Sequence, residues 1–536
     1  MENSYKLIEE GRKDELWKKH CGYLKLSRSE FREIQERLLL EQLRFLCKST
    51  FSIRMMGGNA PSTVEEFRNI VPLTTFSEYS DILNDKKDDG LPMEPYVWAR
   101  TSGQSSDQGP KWIPYTKAMF DHLSDPVIGA MLMSSCSETG VVNLERNDKF
   151  LMATAPPPYA SGYIARSTRD NLEAIFLPSL EEGEKMSYGE RVAAGFKLAL
   201  EQGLDYFMGI SIVLARMGEQ FESQTSNSRP SKELFNLAIL WRLLRALVIS
   251  KINNRPILPK DIWKLKGIMS GGTDTEIYKD KIEYYWGKKP LEGFACTEGG
   301  NLGMQSWNYK GMTFFPDSVF FEFITLEDYD RNKEDPSYLL KTYLYDELEE
   351  GIYELVFSSF YGGVFVRYRI GDFFEVISND DNEIGTELPQ MKFYSRISGI
   401  IDLGGLLRLT ERNIWKTIEA TDIKYNDWVA RKEVIDSVTK LHIYIDIKDD
   451  ENTTNDSVHL TLNQKLSEKF AEYNDFREMI GADPLVVTIL PTGSFDSYMK
   501  MQIKAGADLA HLKPPHMQPS DAIMETLKTV LYENVI

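Results

Sequence analysis

The chain has 536 residues, 42% hydrophobic, 27% charged and 12% aromatic, with a formal charge of −19. That balance fits a soluble globular protein and excludes disordered and fibrous classes. It also argues against an electrostatic nucleic-acid binder, which needs surplus cations to displace phosphate counterions. The length allows three or four domain-sized units, or one large domain with a smaller appendage. Cys21, Cys47, Cys136 and Cys296 are scattered, with no CxxC and no Cys/His pair at metal-ligand spacing. A disulfide scaffold is therefore not expected, and a reducing cytosol is the natural compartment. The mixed-charge N-terminal stretch lacks the apolar core of a secretion signal. The longest apolar run, 234–250, is interrupted by Arg242 and Arg245 and is too short to span a bilayer. It reads as an amphipathic helix packed on a core. The expectation is a cytoplasmic protein with no nucleic-acid and no membrane partner; the oligomeric state is left open.

The first ~50 residues are expected to be helical: Ser27 with Glu30 forms a capping-box pattern, followed by Phe31, Ile34, Leu38 and Phe45 at near-helical intervals. A Pro-punctuated region leads to a Ser/Gly-rich stretch near 101. FLMATA (150–155) is a short buried-strand candidate closed by three prolines, and 189–218 and 231–250 look helical. From 313 to 376 the hydrophobic period becomes two, so VFFEFI (319–324), IYELVF (352–357) and VFVRY (364–368) read as strands. Beyond Arg396, HIYIDI (442–447) and LVVTIL (485–490) read as strands around a polar loop at 449–456 and a helical span near 464–480. The fold class expected is α/β: a large N-terminal domain of mixed sheets flanked by helices, residues 1–395, and a small mobile α+β module, residues 396–536.

Four segments carry candidate chemistry. TSGQSSDQGPKWIP (101–114) sets the hydroxyls of Thr101, Ser102, Ser105 and Ser106 around Gly103, with Lys111 downstream. Such a loop can aim N–H groups and hydroxyls at an anion while a lysine neutralises its outer oxygens. No GKS or GKT follows, so it is not a Walker loop, and on local composition alone it reads as a solvated loop. FACTEGG (294–300) places the Glu298 carboxylate beside the Thr297 hydroxyl in a Gly-rich turn, able to hold a magnesium ion that bridges phosphates or to be a plain surface turn. Upstream, SGGT (270–273) offers a close backbone approach at Gly272 and Thr273. RYRIGD (367–372) closes a strand, and Asp372 after a glycine turn suits the two hydroxyls of a ribose; a turn or helix cap is the alternative. Near the end, PTGSFDSYM (491–499) precedes Lys513, whose backbone is stiffened by Pro514 and Pro515.

The order of these segments is more specific than any one of them, and it resembles the acyl-adenylate-forming (firefly luciferase-like) superfamily. Within it the chain is most similar to the auxin-responsive Gretchen Hagen three family of acyl-acid amido synthetases. Thr101, Ser102, Gly103, Lys111, Ile113 and Pro114 match that family's hydroxyl loop with its Lys-x-Ile-Pro sequel. Phe294, Cys296, Thr297 and Glu298 meet its Tyr-x-Ser-Ser-Glu turn, Phe321 to Phe323 its Phe-Glu-Phe strand, and RYRIGD its Arg-Tyr-Arg-x-Gly-Asp. TGSFD (492–496) and KPP (513–515) resemble its C-terminal elements. The chain departs from the family at Gln104-Ser105-Ser106, at Phe294 in place of a tyrosine, and over ISGIIDLGG (397–405).

The resemblance implies a ligase that uses ATP and Mg2+ to convert a small-molecule carboxylic acid into an acyl adenylate, then transfers the acyl group to an amine such as an amino acid. An acyl-CoA ligase shares the first step, and a catalytically silent nucleotide sensor is the alternative from another class. The implied roles place Ser102, Gly103, Ser105 and Lys111 on the β- and γ-phosphates, Glu298 on the metal and Thr297 near the α-phosphate. Phe294 and Gly272, next to Thr273, would face the adenine, and Asp372 the ribose. Lys513 would contact the α-phosphate and carboxylate, with Lys111 and Glu298 as its catalytic companions, through closure about a hinge near 396–402. Segments 155–162 and 204–217 are candidates for the acid pocket.

Overall fold

The computed structural model describes residues 3–101, 111–227, 237–271, 275–396, 400–448, 453–504 and 514–529. They form two compact units, the first ending at Arg396. A hairpin of β1 (Val97–Arg100) and β2 (Trp112–Tyr115) stands apart from the main sheet of the first unit. That sheet has twelve strands among the described residues. Its parallel half comprises β3 (Lys149–Ala153), β4 (Ile175–Phe176), β5 (Tyr206–Ile210), β6 (Gly267–Gly271) and β7 (Pro290–Cys296). Its antiparallel half comprises β8 (Gly300–Gln305), β9 (Met312–Phe314), β10 (Val319–Thr325), β11 (Tyr343–Leu344), β12 (Gly351–Ser359), β13 (Tyr368–Ser378) and β14 (Gln390–Arg396). The spatial order is β11-β10-β12-β13-β14-β9-β8-β7-β6-β5-β3-β4.

The two halves follow from chain connection. Parallel neighbours need crossovers, and helices Ala160–Leu172, Tyr188–Gln202, Ser211–Asn227 and Thr275–Trp286 supply them. The antiparallel strands are linked mostly by short turns and carry the aromatic core. Phe314 lies 5.0 Å from Phe321 and 5.2 Å from Phe374, ring centre to ring centre. Helix Arg28–Leu46 covers this core, started by a complete Ser27/Glu30 capping box and packed through Phe31, which stacks on Tyr345 at 4.4 Å.

In the second unit, β15 (Ile400–Leu403) and β16 (Leu407–Thr410) form a hairpin. Next to it in the chain, β17 (Tyr425–Ile435), β18 (Val438–Ile447) and β19 (Leu485–Leu490) make a sheet, antiparallel then parallel. Helices Asn455–Lys469 and Ala471–Ile480 form the crossover from β18 to β19. The mixed α/β class and the separate C-terminal sheet are as the sequence implies.

Several local expectations are corrected. The span 189–218 is not one helix, because Gly203 (φ 100°) ends Tyr188–Gln202 and β5 intervenes. VFVRY (364–368) is a buried connection, and β13 starts only at Tyr368: the backbone turns at Arg367, whose φ is 43°. Where the chain departs from the family beyond Arg396, Ile400–Leu403 is a strand. Phe45 does not share the buried face of its helix and is 39% exposed. Helix Leu237–Ile252 is only partly core-packed, with Trp241 73% exposed. No helix among the described residues is long and apolar enough to cross a membrane.

Candidate active site

The site is built where the β1–β2 hairpin meets the turn between β7 and β8. Thr101 N–H donates to the Lys111 carbonyl at 3.0 Å, and Lys111 N–H donates to Thr101 Oγ1 at 3.1 Å. The hydroxyl-rich loop thus leaves and returns at one doubly tied point. Ser102, Gly103 and Ser105 themselves lie outside the described residues, as do Gly272, Thr273 and Lys513.

From that root, Lys111, Ile113 and Tyr115 point to one face of an extended segment, and all three are buried. Lys111 Nζ stands 3.3 Å from Glu298 Oε1 and 3.3 Å from Tyr368 Oη, and Tyr368 Oη donates to Glu298 Oε1 at 3.4 Å. The ammonium also lies over the Phe76 ring, 4.5 Å from its centre. Four residues on, Tyr115 Oη donates to the Thr297 carbonyl at 2.6 Å. One strand face therefore grips the Thr297–Glu298 turn twice, and the turn closes through Gly300, whose φ is 74°. Burial holds the Tyr115 phenol far above its ordinary range, so it serves as a neutral donor.

Within RYRIGD the side chains divide. Arg367 forks onto Glu322 of the Phe-Glu-Phe strand at 2.9 and 2.8 Å and also donates to the carbonyls of Arg68 and Val71. Arg369 forks onto Glu354. Both arginines bind the scaffold, while Tyr368 between them reaches Lys111 and Glu298. The following residues do not form the expected turn. The pairing of β12 with β13 shifts between Glu354 and Val356, Gly371 adopts φ 82°, and Asp372 sits fully buried in the strand beside Arg396. A β-bulge takes the place of the turn. Phe294 lies on β7 with its ring 4.7 Å from Phe374 and 6.1 Å from Phe393.

The structure thus brings Thr101, Lys111, Thr297 and Glu298 to one place, with Phe294 earlier on the same strand as that turn and Asp372 four residues past Tyr368. It adds groups that the sequence reading missed. Ser211, at the end of β5, bonds Ser270 of β6 at 2.6 Å and Thr275 at 2.7 Å, a buried hydroxyl set where the parallel strands end. His122 shares a small hollow with Glu298, Tyr115 and Tyr361. Burial would lower its pKa, but Asp317 and Asp125 outweigh burial and raise it. Tyr368 was legible, standing inside a quoted motif; the hydroxyl set follows only from strand order.

In the second unit, TGSFD begins helix Ser494–Lys504. Gly493 N–H donates to both carboxylate oxygens of buried Asp446 at 3.2 and 3.1 Å, which seats that helix on β18. The chain from Pro514 is anchored to β17. Ala430 N–H donates to the His516 carbonyl at 2.7 Å, and the His516 ring stacks on Trp428 at 4.6 Å and bonds Asp427 at 2.8 Å.

This fold is shared with a 2-hydroxyisobutyryl-CoA ligase solved with 2-HIB-AMP and CoA, which superposes with TM-score 0.56, at 14% identity over 87% of each chain. The sequence profiles of the GH3 family N-terminal, central and C-terminal domains match residues 22–167, 312–396 and 413–522, in that order and over more than half of the chain. The chain belongs to the GH3 family. An Arabidopsis thaliana indole-3-acetic acid-amido synthetase, GH3.3, is 24% identical over 277 residues, 47% of this chain, and the match spans 43% of that relative's length. The AtGH3.15 acyl acid amido synthetase, solved with 2,4-DB, aligns with TM-score 0.49 and 16% identity over 95% of this chain and 94% of its own.

Proposed function

We propose that this chain is a cytoplasmic ligase that activates a carboxylic acid with ATP and passes the acyl group to an amine, an amino acid in the first instance. In the first step a carboxylate oxygen attacks the α-phosphorus, the bond to the β-phosphate bridge breaks and pyrophosphate leaves. In the second the amine nitrogen attacks the acyl carbon, AMP departs and the nitrogen gives its proton to solvent. Both steps ask the protein to hold anions together and meet charge on phosphate oxygens, which is mainly positioning and electrostatics. The observation that carries the reading is the buried Lys111–Glu298–Tyr368 group at the root of the hydroxyl-rich loop.

In this reading Thr101, Ser102, Gly103, Ser105 and Lys111 hold the β- and γ-phosphates, and Thr297 lies near the α-phosphate. Gly272, Thr273 and Phe294 border the adenine, and Asp372 takes the ribose. Glu298 is the carboxylate available to Mg2+. Among the described residues no group of three or more His, Cys, Asp or Glu forms a metal site. One carboxylate fits an ion that takes its remaining oxygens from phosphate and water, whose charge would offset the polyphosphate. The 1–395 body would bind both substrates, and the 396–536 module would act as a lid bringing Lys513 to the reacting carboxylate. A thiol acceptor, CoA, is the second reading, favoured by the fold match to a CoA ligase.

Pyrophosphate release measured across a panel of carboxylic acids, with amino acids or with CoA, tests this. Acid-dependent release that Lys513→Ala abolishes while ATP still binds is the expected result. Silence across the panel with ATP bound tightly would replace the enzyme by a nucleotide sensor.

A further inference from the structure

The parallel half of the sheet carries a second feature away from the Lys111–Glu298 group. Beyond the end of β3 the chain, the facing helix Ala160–Leu172 and the segment 176–184 enclose a cleft with a mostly apolar lining that includes Met152, Pro156, Phe176, Leu177 and Leu180. The charged side chains of its lining are Glu184 and Arg191. Glu184 is occupied by Arg166, which forks onto it at 2.9 and 2.7 Å. Arg191 comes from helix Tyr188–Gln202 and is 9% exposed. Its Nη2 donates to the Thr154 carbonyl at 2.8 Å and its Nη1 to the Gly183 carbonyl at 3.5 Å. Among the described residues no carboxylate lies within ion-pair distance of it.

Elsewhere in the same unit, buried Arg367 and partly buried Arg369 each fork onto a buried glutamate. The company of Arg191 is those two carbonyls and the Tyr188 ring, whose centre lies 5.6 Å from the guanidinium carbon, so no carboxylate among the described residues offsets its charge. Burial accordingly pulls Arg191 below its ordinary pKa. An apolar cleft with one such cation inside is complementary to a small molecule with a carboxylate head and an apolar body.

We propose that this cleft is a binding site for an apolar monocarboxylate, with Arg191 as its counter-ion, separate from the site of adenylation. Separation follows from chemistry and from lining. An acid forked onto Arg191 has its nucleophilic oxygens engaged, whereas adenylation needs one of them free. Lys111, Glu298 and Tyr368 are all absent from the cleft wall, although Ala155, Pro156, Pro157 and Gly162, from a segment expected to border the acid pocket, belong to it. The wall is nonetheless continuous with the hydroxyl-loop hairpin. Pro156 and Pro157 run on to Pro158, whose carbonyl accepts from Arg100 N–H at 2.8 Å, one residue before Thr101. The proposal does not depend on the ligase reading.

Equilibrium dialysis of the full chain without nucleotide, using phenylacetate and its uncharged analogue phenylacetamide, tests the site. Expected is saturable binding of phenylacetate that Arg191→Lys weakens at least about tenfold by losing the fork, and no binding of phenylacetamide. Ala165→Leu, which fills the cleft and leaves the arginine in place, should abolish the same binding event. Acid-dependent pyrophosphate release should persist in both variants, so loss of this site and failure of the ligase reading are told apart. Phenylacetate binding that neither variant changes, or equal binding of the amide, would overturn the proposal. So would loss of pyrophosphate release together with binding, because the cleft would then be the reaction's own acid pocket.

Discussion

Two buried polar groups of the first unit invite comparison. At Arg367 the charge is closed off: guanidinium bonds of 2.6–3.0 Å run to Glu322, Thr342 and the carbonyls of Arg68 and Val71. At Lys111 the bonds to Glu298 and Tyr368 are 3.3 Å, and the Tyr368–Glu298 bond is 3.4 Å. Both groups are buried and both draw on RYRIGD, yet one is a tight planar fork and the other a loose contact of a point charge. A fork fixes geometry and commits its donors, while a lysine held at long distance can turn to a phosphate at little cost. The difference separates residues that hold the sheet from residues placed to meet substrate.

The strongest way to break that comparison is to remove each cation in turn. Arg367→Leu strands Glu322 in the core and should cost about 3–5 kcal/mol of stability in urea unfolding. Lys111→Met should cost about 1–2 kcal/mol, since it removes weaker bonds, while abolishing acid-dependent pyrophosphate release. Equal losses of stability would mean that Lys111 is another scaffold ion, and its assignment to phosphate would fall.

Protonation sharpens the comparison at a third buried group. His20 bonds Ser4 at 2.8 Å, and burial pushes its pKa down to about 4 against an ordinary 6.5, with Asp125 only partly opposing this. The unfolded chain therefore binds this proton more readily than the folded one between those values. The stability the neutral ring contributes is complete above pH 6.5 and is lost as pH falls toward 4, by about 3 kcal/mol in all. The difference in unfolding free energy between the parent and His20→Gln should shrink across that window. A difference that stays constant from pH 7 to pH 4.5 would show that His20 is charged in the folded state.

Much of this was legible in the sequence, for identifiable reasons. The Ser27 capping box, the prolines closing β3 and the β-branched and aromatic runs of β10 and β12 are local signals, and each of these elements formed where its pattern lay. The motifs also named Lys111 and Glu298, 187 residues apart, which the fold joins. What the sequence hid was set by long-range geometry. Periodicity could not show that β5 would divide 189–218, because strand and helix share apolar residues there and only pairing with β3 and β6 decides. Gly371 reads as a turn residue, but the flanking strands keep Asp372 in register and make a bulge of it. The meeting of Ser211, Ser270 and Thr275, and the isolation of Arg191, depend on strand order, which no local pattern encodes.

The smallest effect is expected at the residue shared by both sides of the comparison. Tyr368 stands between the two scaffold arginines, with its ring packed 4.5 Å from Phe365 and its hydroxyl between Lys111 and Glu298. Tyr368→Phe keeps the ring and deletes only the hydroxyl, so stability should change by about 1 kcal/mol or less. Pyrophosphate release should fall about tenfold, the order expected when one neutral donor that orients a charged pair is lost. The fall should appear in kcat rather than in the KM for ATP, since the hydroxyl sets the direction of Lys111 and Glu298 and leaves their charges in place. Unchanged turnover with weakened folding would place Tyr368 with Arg367 and Arg369 in the scaffold, and the division drawn within RYRIGD would disappear.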